Sequence, residues 1–313
     1  MRRRIGPSLL TVLAVALAVL AGGAGPTSAA VAPQVTAQPV LSGVKAASSL
    51  TIAPDGRIFV GEQDTGVIRV VNPTTKVASV FYKVPGNRQL MGLGVHWAFP
   101  GTPYVYGYGT RVTATGQIRL QLYVIRASGN TGTSLTVLRD LGDAPPDHWG
   151  GHLAFGPGHL LYLSIGDGKV PAAAQDPASY RGKIFRMTDA GRVPTGNPTG
   201  TTMWASGLRN PFGFAFDPGS SRIWATENGP ECNDELNLIS RGANYGWGAT
   251  AACSATPTIT DTNRDGPNPL LPKVAYTPPT APTGIASAAP AVSGATSREP
   301  WSTAPSSRAS CVA

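Results

Sequence analysis

Charge is scarce in this sequence of 313 residues: Asp, Glu, Lys and Arg together make only 13% of it. A coiled coil or a long solvent-exposed helix needs a far richer charged face, so neither is expected. No acidic residue precedes Asp55. Cysteine is confined to Cys232, Cys253 and Cys311, with no C-x-x-C spacing and no histidine near them. A zinc site is therefore the weaker of two readings. In an exported protein Cys232 and Cys253 are the expected disulfide pair, which leaves Cys311 over. Long apolar runs are missing too. Leu9–Leu20 is apolar for twelve residues, too few to cross a hydrocarbon layer about 30 Å thick.

The N-terminus nevertheless has a recognisable order. Arg2, Arg3 and Arg4 precede that apolar run, and small residues around Thr27-Ser28-Ala29-Ala30 follow it. This is the layout of a secretory signal peptide over residues 1–29, and it predicts a secreted or extracytoplasmic protein with no stable membrane anchor. Those three arginines supply part of the net charge of +8. The remaining excess is mild and scattered, so no nucleic-acid partner is expected.

Glycine (38) and proline (29) make up about a fifth of the chain, and 42% of residues are hydrophobic. A core is affordable, and the turn residues cut it into many short strands: an all-β chain. A unit recurs in which a strand, a proline-containing turn and a second strand rich in aromatic and β-branched residues follow one another. It begins at Leu50, Gly94, Leu153 and Phe214. The turn prolines Pro54, Pro100, Pro157 and Pro218 are 46, 57 and 61 residues apart. Strand pairs at that interval predict β-propeller blades, stacked because one blade cannot bury both its faces alone. A two-sheet sandwich is the alternative, but it gives no reason for the same order in every copy.

Three loop clusters carry chemistry. The first is Asp147-His148-Trp149-Gly150-Gly151-His152, with Asp167 nineteen residues after His148. Across a hairpin, a carboxylate can hold the imidazole Nδ1–H and leave Nε2 as a base. An ordinary turn histidine with a turn aspartate remains the alternative. The second is Gly207-Leu-Arg209-Asn210-Pro, whose Arg and Asn can present fixed donors to an anion or carbonyl. The third runs from Glu227 through Gly229-Pro230 to Asp234-Glu235, with Asn244-Tyr245-Gly-Trp beyond. Its acidic and amide side chains and turn carbonyls suit a hard cation such as calcium, without EF-hand spacing.

Taken together, His148-x-Gly-Gly, Phe155-Gly-Pro, Ile165-Gly-Asp167-Gly, Gly182-Lys-Ile-x-Arg, Gly207-Leu-Arg-Asn-Pro, Glu227-x-Gly-Pro, Asp234-Glu-Leu-Asn-Leu-Ile and Asn244-Tyr-Gly-Trp form a series. In order and local spacing it resembles the soluble quinoprotein glucose/sorbosone (aldose sugar) dehydrogenases over roughly residues 38–284. The resemblance implies a six-bladed propeller that uses pyrroloquinoline quinone (PQQ) and Ca2+, an aldose substrate and an external electron acceptor. By the same resemblance His148 is the catalytic base and Asp167 its partner. Arg209 and Asn210 contact the quinone, and Gly229 and Pro230 offer carbonyls to the calcium that clamps it. Asp234, Glu235 and Tyr245 fall at metal-binding positions, the last two at a second, structural calcium.

Two positions depart from the family pattern: His152 stands where an Arg or Lys is common, and Gln89-Leu-Met-Gly replaces a Gly-Leu-Leu-Gly run. About four blade-like units are legible. Residues 285–313 read as a low-complexity, disordered Ala/Ser/Pro tail, either a truncated or frame-shifted end or a natural linker. On that reading the propeller is incomplete and its activity in question. A non-catalytic secreted propeller that binds a glycan or a protein is the rival from another class. A calcium-dependent lactonase would need a ring of carboxylates that these motifs do not supply.

Overall fold

Each turn proline closes the first hairpin of a four-stranded antiparallel sheet in the computed structural model, which describes residues 40–72, 74–287 and, as a backbone strand alone, 309–312. The first sheet holds β1 (Ala47–Ile52), β2 (Ile58–Glu62), β3 (Val67–Val71) and β4 (Ala78–Lys83). The second holds β5 (Asn87–Val95), β6 (Tyr104–Val112), β7 (Ile118–Ser128) and β8 (Thr131–Asp143). β9 (Leu153–Gly156), β10 (Leu160–Ile165), β11 (Lys183–Met187) and β12 (Met203–Ala205) form the third. β13 (Pro211–Phe216), β14 (Ile223–Glu227), β15 (Asp234–Ile239) and β16 (Val274–Tyr276) form the fourth.

Sequential strands pair within every sheet, and the first strands gather on one axis. There β1 packs beside β5 and β5 beside β9, while β13 packs beside β10, the second strand of the third blade. This is the propeller-like arrangement that the repeated unit predicts, with four blades among the described residues.

The blades are held face to face by three apolar layers. Phe59, Ile68, Phe81, Leu90, Val105 and Ile125 fill the first; Tyr106, Tyr108, Leu122, Leu161, Leu163 and Phe185 the second; Tyr162, Ile184, Phe214, Ile223 and Tyr245 the third. Neighbours along one strand serve different layers. Val105 faces the first layer while Tyr106 faces the second, and Leu161 faces the second while Tyr162 faces the third. A strand buried on both faces loses the hydrophobic–polar alternation that marks a half-exposed one. That explains why the unit around Gly94 is the faintest of the four in the sequence.

β17 (Gly284–Ser287) packs against β13 and pairs antiparallel with β18 (Ala309–Val312). β17 begins at the boundary expected at residue 284, and the N–H and C=O groups along its edge are paired by β18, which needs no side-chain alternation. The segment expected as a signal peptide, residues 1–29, lies outside the described residues, as does most of the expected tail. Among the described residues no helix is long and apolar enough to cross a membrane.

Candidate functional site

Antiparallel order puts the start of a blade's first strand, the end of its second and the start of its third at the same end of the sheet. The segment before β9 (148–152), the β10–β11 loop (166–182), the segment before β13 (206–210) and the β14–β15 loop (228–233) therefore share one face. The first two sequence clusters and the Gly229–Pro230 turn of the third fall there; Asn244 to Trp247 come in from the long β15–β16 loop.

His148 has a left-handed backbone, φ 50°, which costs a non-glycine residue roughly 1 kcal/mol. Its carbonyl presses on Gly166, where a Cβ would lie only 2.1 Å away. Glycine at 166 is thus what lets the two loops close. Their closure brings His148 Nδ1 within 2.6 Å of Asp167 Oδ1, with 11% and 1% of the two side chains exposed. The Asp167 carboxylate also accepts the Lys169 N–H on Oδ1 (2.9 Å) and the Trp247 indole N–H on Oδ2 (2.8 Å). An ionised carboxylate only accepts, so this network assigns the proton to Nδ1 and leaves Nε2 with a lone pair.

The Arg209 segment is sewn to this pair through its backbone. Asp167 N–H donates to the Arg209 carbonyl (2.6 Å), and Gly150 N–H donates to Asn210 Oδ1 (3.1 Å). The Arg209 N–H donates to the Glu227 carboxylate, and its Nη1 donates to the Asn228 carbonyl at 2.8 Å. Its guanidinium lies 5.5 Å over the Trp247 ring, a cation–π contact. Burial pushes the Arg209 guanidinium down from its usual range, and the carboxylates of Asp167, Glu227, Asp234 and Asp147 oppose that push. Arginine starts so high that it remains a fixed cation.

The Gly229–Pro230 turn is clamped from below. Asp234 accepts Gly229 N–H on Oδ1 (2.7 Å) and the N–H groups of Thr280 and Ala281 on Oδ2 (2.6 Å each). A Cβ at Gly229 would meet the Cys232 carbonyl at 2.2 Å, so no other residue fits this fold of the loop. The Gly229 and Pro230 carbonyls accept no hydrogen bond from a described residue. Cys232 and Cys253 are joined as a disulfide, with Cα atoms 5.8 Å apart.

Behind the turn, Glu227 and Glu235 stand opposite each other across β14 and β15. Both are buried, and the Asn237 amide bridges them with bonds of 3.0 and 2.9 Å. Burial first, then the charge of Glu235, push Glu227 well above the usual carboxylate range. Burial pushes Glu235 up to about 7, against hydrogen bonds from Asn237, Thr262 and Asn263. Asn237 Oδ1 is buried with no partner. The Tyr245 carbonyl, which accepts the Asn263 amide at 2.8 Å, belongs to the same pocket of oxygens. Two carboxylates held face to face and an idle amide oxygen suit a divalent cation. No group of three or more His, Cys, Asp or Glu side chains is arranged to hold a metal among the described residues, so backbone carbonyls must complete any such site.

His152 is turned away from this chemistry. Its ring meets Phe214 edge-on, centroids 4.4 Å apart, beside an axial cavity of about 280 Å³. Burial pushes it down to about 4, so it is neutral at ordinary pH. Sequence reasoning missed Trp247 as a partner of Asp167. Eighty residues separate the two, and no local pattern announces the contact.

Comparison with known proteins places these features in a family. The family model described as Glucose / Sorbosone dehydrogenase matches residues 44–293. The sequence is 31% identical over 245 residues to quinoprotein glucose dehydrogenase B of Acinetobacter calcoaceticus, covering 66% of this chain and 51% of that one. It therefore spans about half the length of that enzyme. An uncharacterized protein of Synechocystis is 29% identical, over 81% of this chain and 69% of its own. Among solved structures, the PQQ-bound aldose sugar dehydrogenase of Streptomyces coelicolor superposes with a TM-score of 0.67 at 28% identity. That match covers 79% of this chain and 73% of the other.

Proposed function

This chain belongs to the glucose/sorbosone dehydrogenase family, and from that premise we propose that it oxidises the anomeric hydroxyl of aldoses to lactones with PQQ and Ca2+. The observation that carries the reading is the His148–Asp167 pair, its Nε2 left free on the face that also holds Arg209 and two uncapped carbonyls.

Conversion of an aldose to its lactone removes one hydride and one proton from the sugar. When bound, PQQ supplies the two-electron acceptor, and the electrons leave to an external acceptor. The proton is this chain's part of the work. His148 Nε2 takes it from the hydroxyl on C1, and Asp167 steadies the imidazolium that results. Arg209 and Asn210 would hold the quinone oxygens, where a fixed buried cation stabilises developing negative charge. The Gly229 and Pro230 carbonyls would bind the clamping calcium, and Asp234 fixes the turn that presents them. Glu235 and the Tyr245 carbonyl, with Glu227 close by, would hold a second calcium that relieves the repulsion between the paired carboxylates. The disulfide supports an extracytoplasmic location, since such bonds persist in oxidising compartments.

The cofactor part is tested by titrating the protein with PQQ and following absorbance, once in calcium and once in EDTA. Saturable binding near one equivalent in calcium, and its loss in EDTA, is the expected result. No saturable binding in either condition would overturn the proposal.

A further inference from the structure

We propose that Trp247 is a positioning residue that holds the Asp167 carboxylate ionised and turned toward His148, and seats Arg209 with the same ring. The proposal rests on the reading of His148 as the base and adds to it a residue with no role in that reading so far.

The argument begins with what each oxygen of Asp167 accepts. Oδ1 takes the His148 imidazole and the Lys169 N–H, while Oδ2 takes the Trp247 indole N–H. An indole N–H donates and never accepts. A protonated Asp167 with its hydrogen on Oδ2 would set two donors against each other in a buried space, so the indole favours the ionised form. It also fixes the rotation of the carboxylate, because a bond on each oxygen leaves no free turn about Cβ–Cγ.

Trp247 is itself immobilised from both sides. Its backbone N–H donates to the Gly207 carbonyl (2.9 Å), and its backbone carbonyl accepts the Gln175 side-chain amide (2.7 Å). Gln175 comes from the loop that carries Asp167, and Gly207 from the segment that carries Arg209. Trp247, 6% exposed as a residue, thus spans the two functional loops. Its edge serves the base and its face serves the cation.

Loss of the indole N–H has a direction. A carboxylate that loses one of its donors is less stabilised as an anion, and its charge concentrates on the donors that remain. Here those are His148 Nδ1–H and the Lys169 backbone N–H; only the imidazole can take up a further proton, so the protonated imidazole gains and the neutral base loses. The charged groups against His148 are Asp167 on the β10–β11 loop and Asp147 on its own loop; behind them Lys169 pairs with Asp147, and Arg209 before β13 faces Asp167, Asp147 and Glu227. None of them changes in Trp247→Phe, which also keeps an aromatic face under Arg209.

The experiment is an imidazole ¹⁵N titration of cofactor-free wild type and Trp247→Phe. The His148 midpoint in the variant should rise by about one pH unit, a tenfold change in proton affinity, as for one lost hydrogen bond to a charged group. In the PQQ-loaded enzyme the acid limb of the kcat profile should move the same way, with activity recovering at higher pH. A second measurement needs no variant. In wild type the Trp247 indole N–H resonance should titrate together with His148, because Asp167 connects them.

An unmoved midpoint with a loss of kcat equal at every pH would make Trp247 a mere filler and overturn the proposal. So would an indole resonance indifferent to pH. Both NMR readings use protein without quinone or sugar, so they stand or fall separately from the test of sugar oxidation.

Discussion

His148→Ala should lower turnover of the PQQ-loaded protein by about 10²–10⁴-fold, the usual contribution of a general base, and leave quinone affinity little changed. The structure gives reasons for both halves. Alanine removes Nε2, the atom with a free lone pair on this face, and no second imidazole can replace it: His152 is turned toward Phe214 and the axial cavity. Asp167 keeps its bonds to Trp247 and Lys169, so the carboxylate is not stranded. Alanine tolerates φ 50° somewhat less well than histidine, but the closure of the Gly150 N–H on Asn210 Oδ1 and of the Gly151 N–H on the Ser164 carbonyl remains to hold the loop. Steady-state kinetics checks the first half and a quinone titration the second. Turnover near that of wild type would remove His148 from the role of base.

Loss of the Cys232–Cys253 bond should cost about 3 kcal/mol by the loop-entropy relation. That corresponds to a fall in Tm of roughly 6–12 °C for a domain of this size. The bridge closes a loop of 21 residues whose near end is the turn carrying the Gly229 and Pro230 carbonyls. Asn233 adds to the fastening, with its amide on the Thr258 carbonyl (2.5 Å) and its backbone N–H on the Thr277 hydroxyl (3.2 Å). Cys232→Ser with Cys253→Ser should therefore lower quinone affinity as well as Tm. Thermal unfolding measures the first effect and titration in calcium the second. An unchanged Tm, or thiol labelling of either cysteine in unreduced wild type, would contradict the account.

How far the sequence reached depended on how local the physics was. The hairpin turns were legible at Pro54, Pro100, Pro157 and Pro218 because proline and glycine act on their own backbone. The outer strands were not. β12 and β16 have three residues each, and β8 is mostly exposed with a polar, irregular pattern, as edge strands often have. β6 was read only in outline for the opposite reason, since both its faces are buried against neighbouring blades.

The site divides in the same way. The contact between His148 and Asp167 could be read from a spacing that one hairpin spans. The opposition of Glu227 and Glu235 needs the register of β14 on β15, which a loop of six residues does not reveal by itself. Trp247 reaches Asp167 from the fourth blade's long loop, a contact that exists only once blades are stacked. Arg209 and Asn210 stood out as fixed donors before a proline, the family resemblance added the quinone as their partner, and their tie to the His148 loop through Gly150 and Asp167 came from the fold.

The central claim is that this chain oxidises aldoses with PQQ, calcium and His148 as base, and the rate of dye reduction by the loaded protein tests it most directly. Glucose and glucose deuterated at C1 should each drive reduction. The deuterated sugar should be slower, because the C1–H bond breaks in the same oxidation whose proton His148 removes. Dye reduction that no aldose stimulates, in a protein shown to have bound PQQ, would contradict the account.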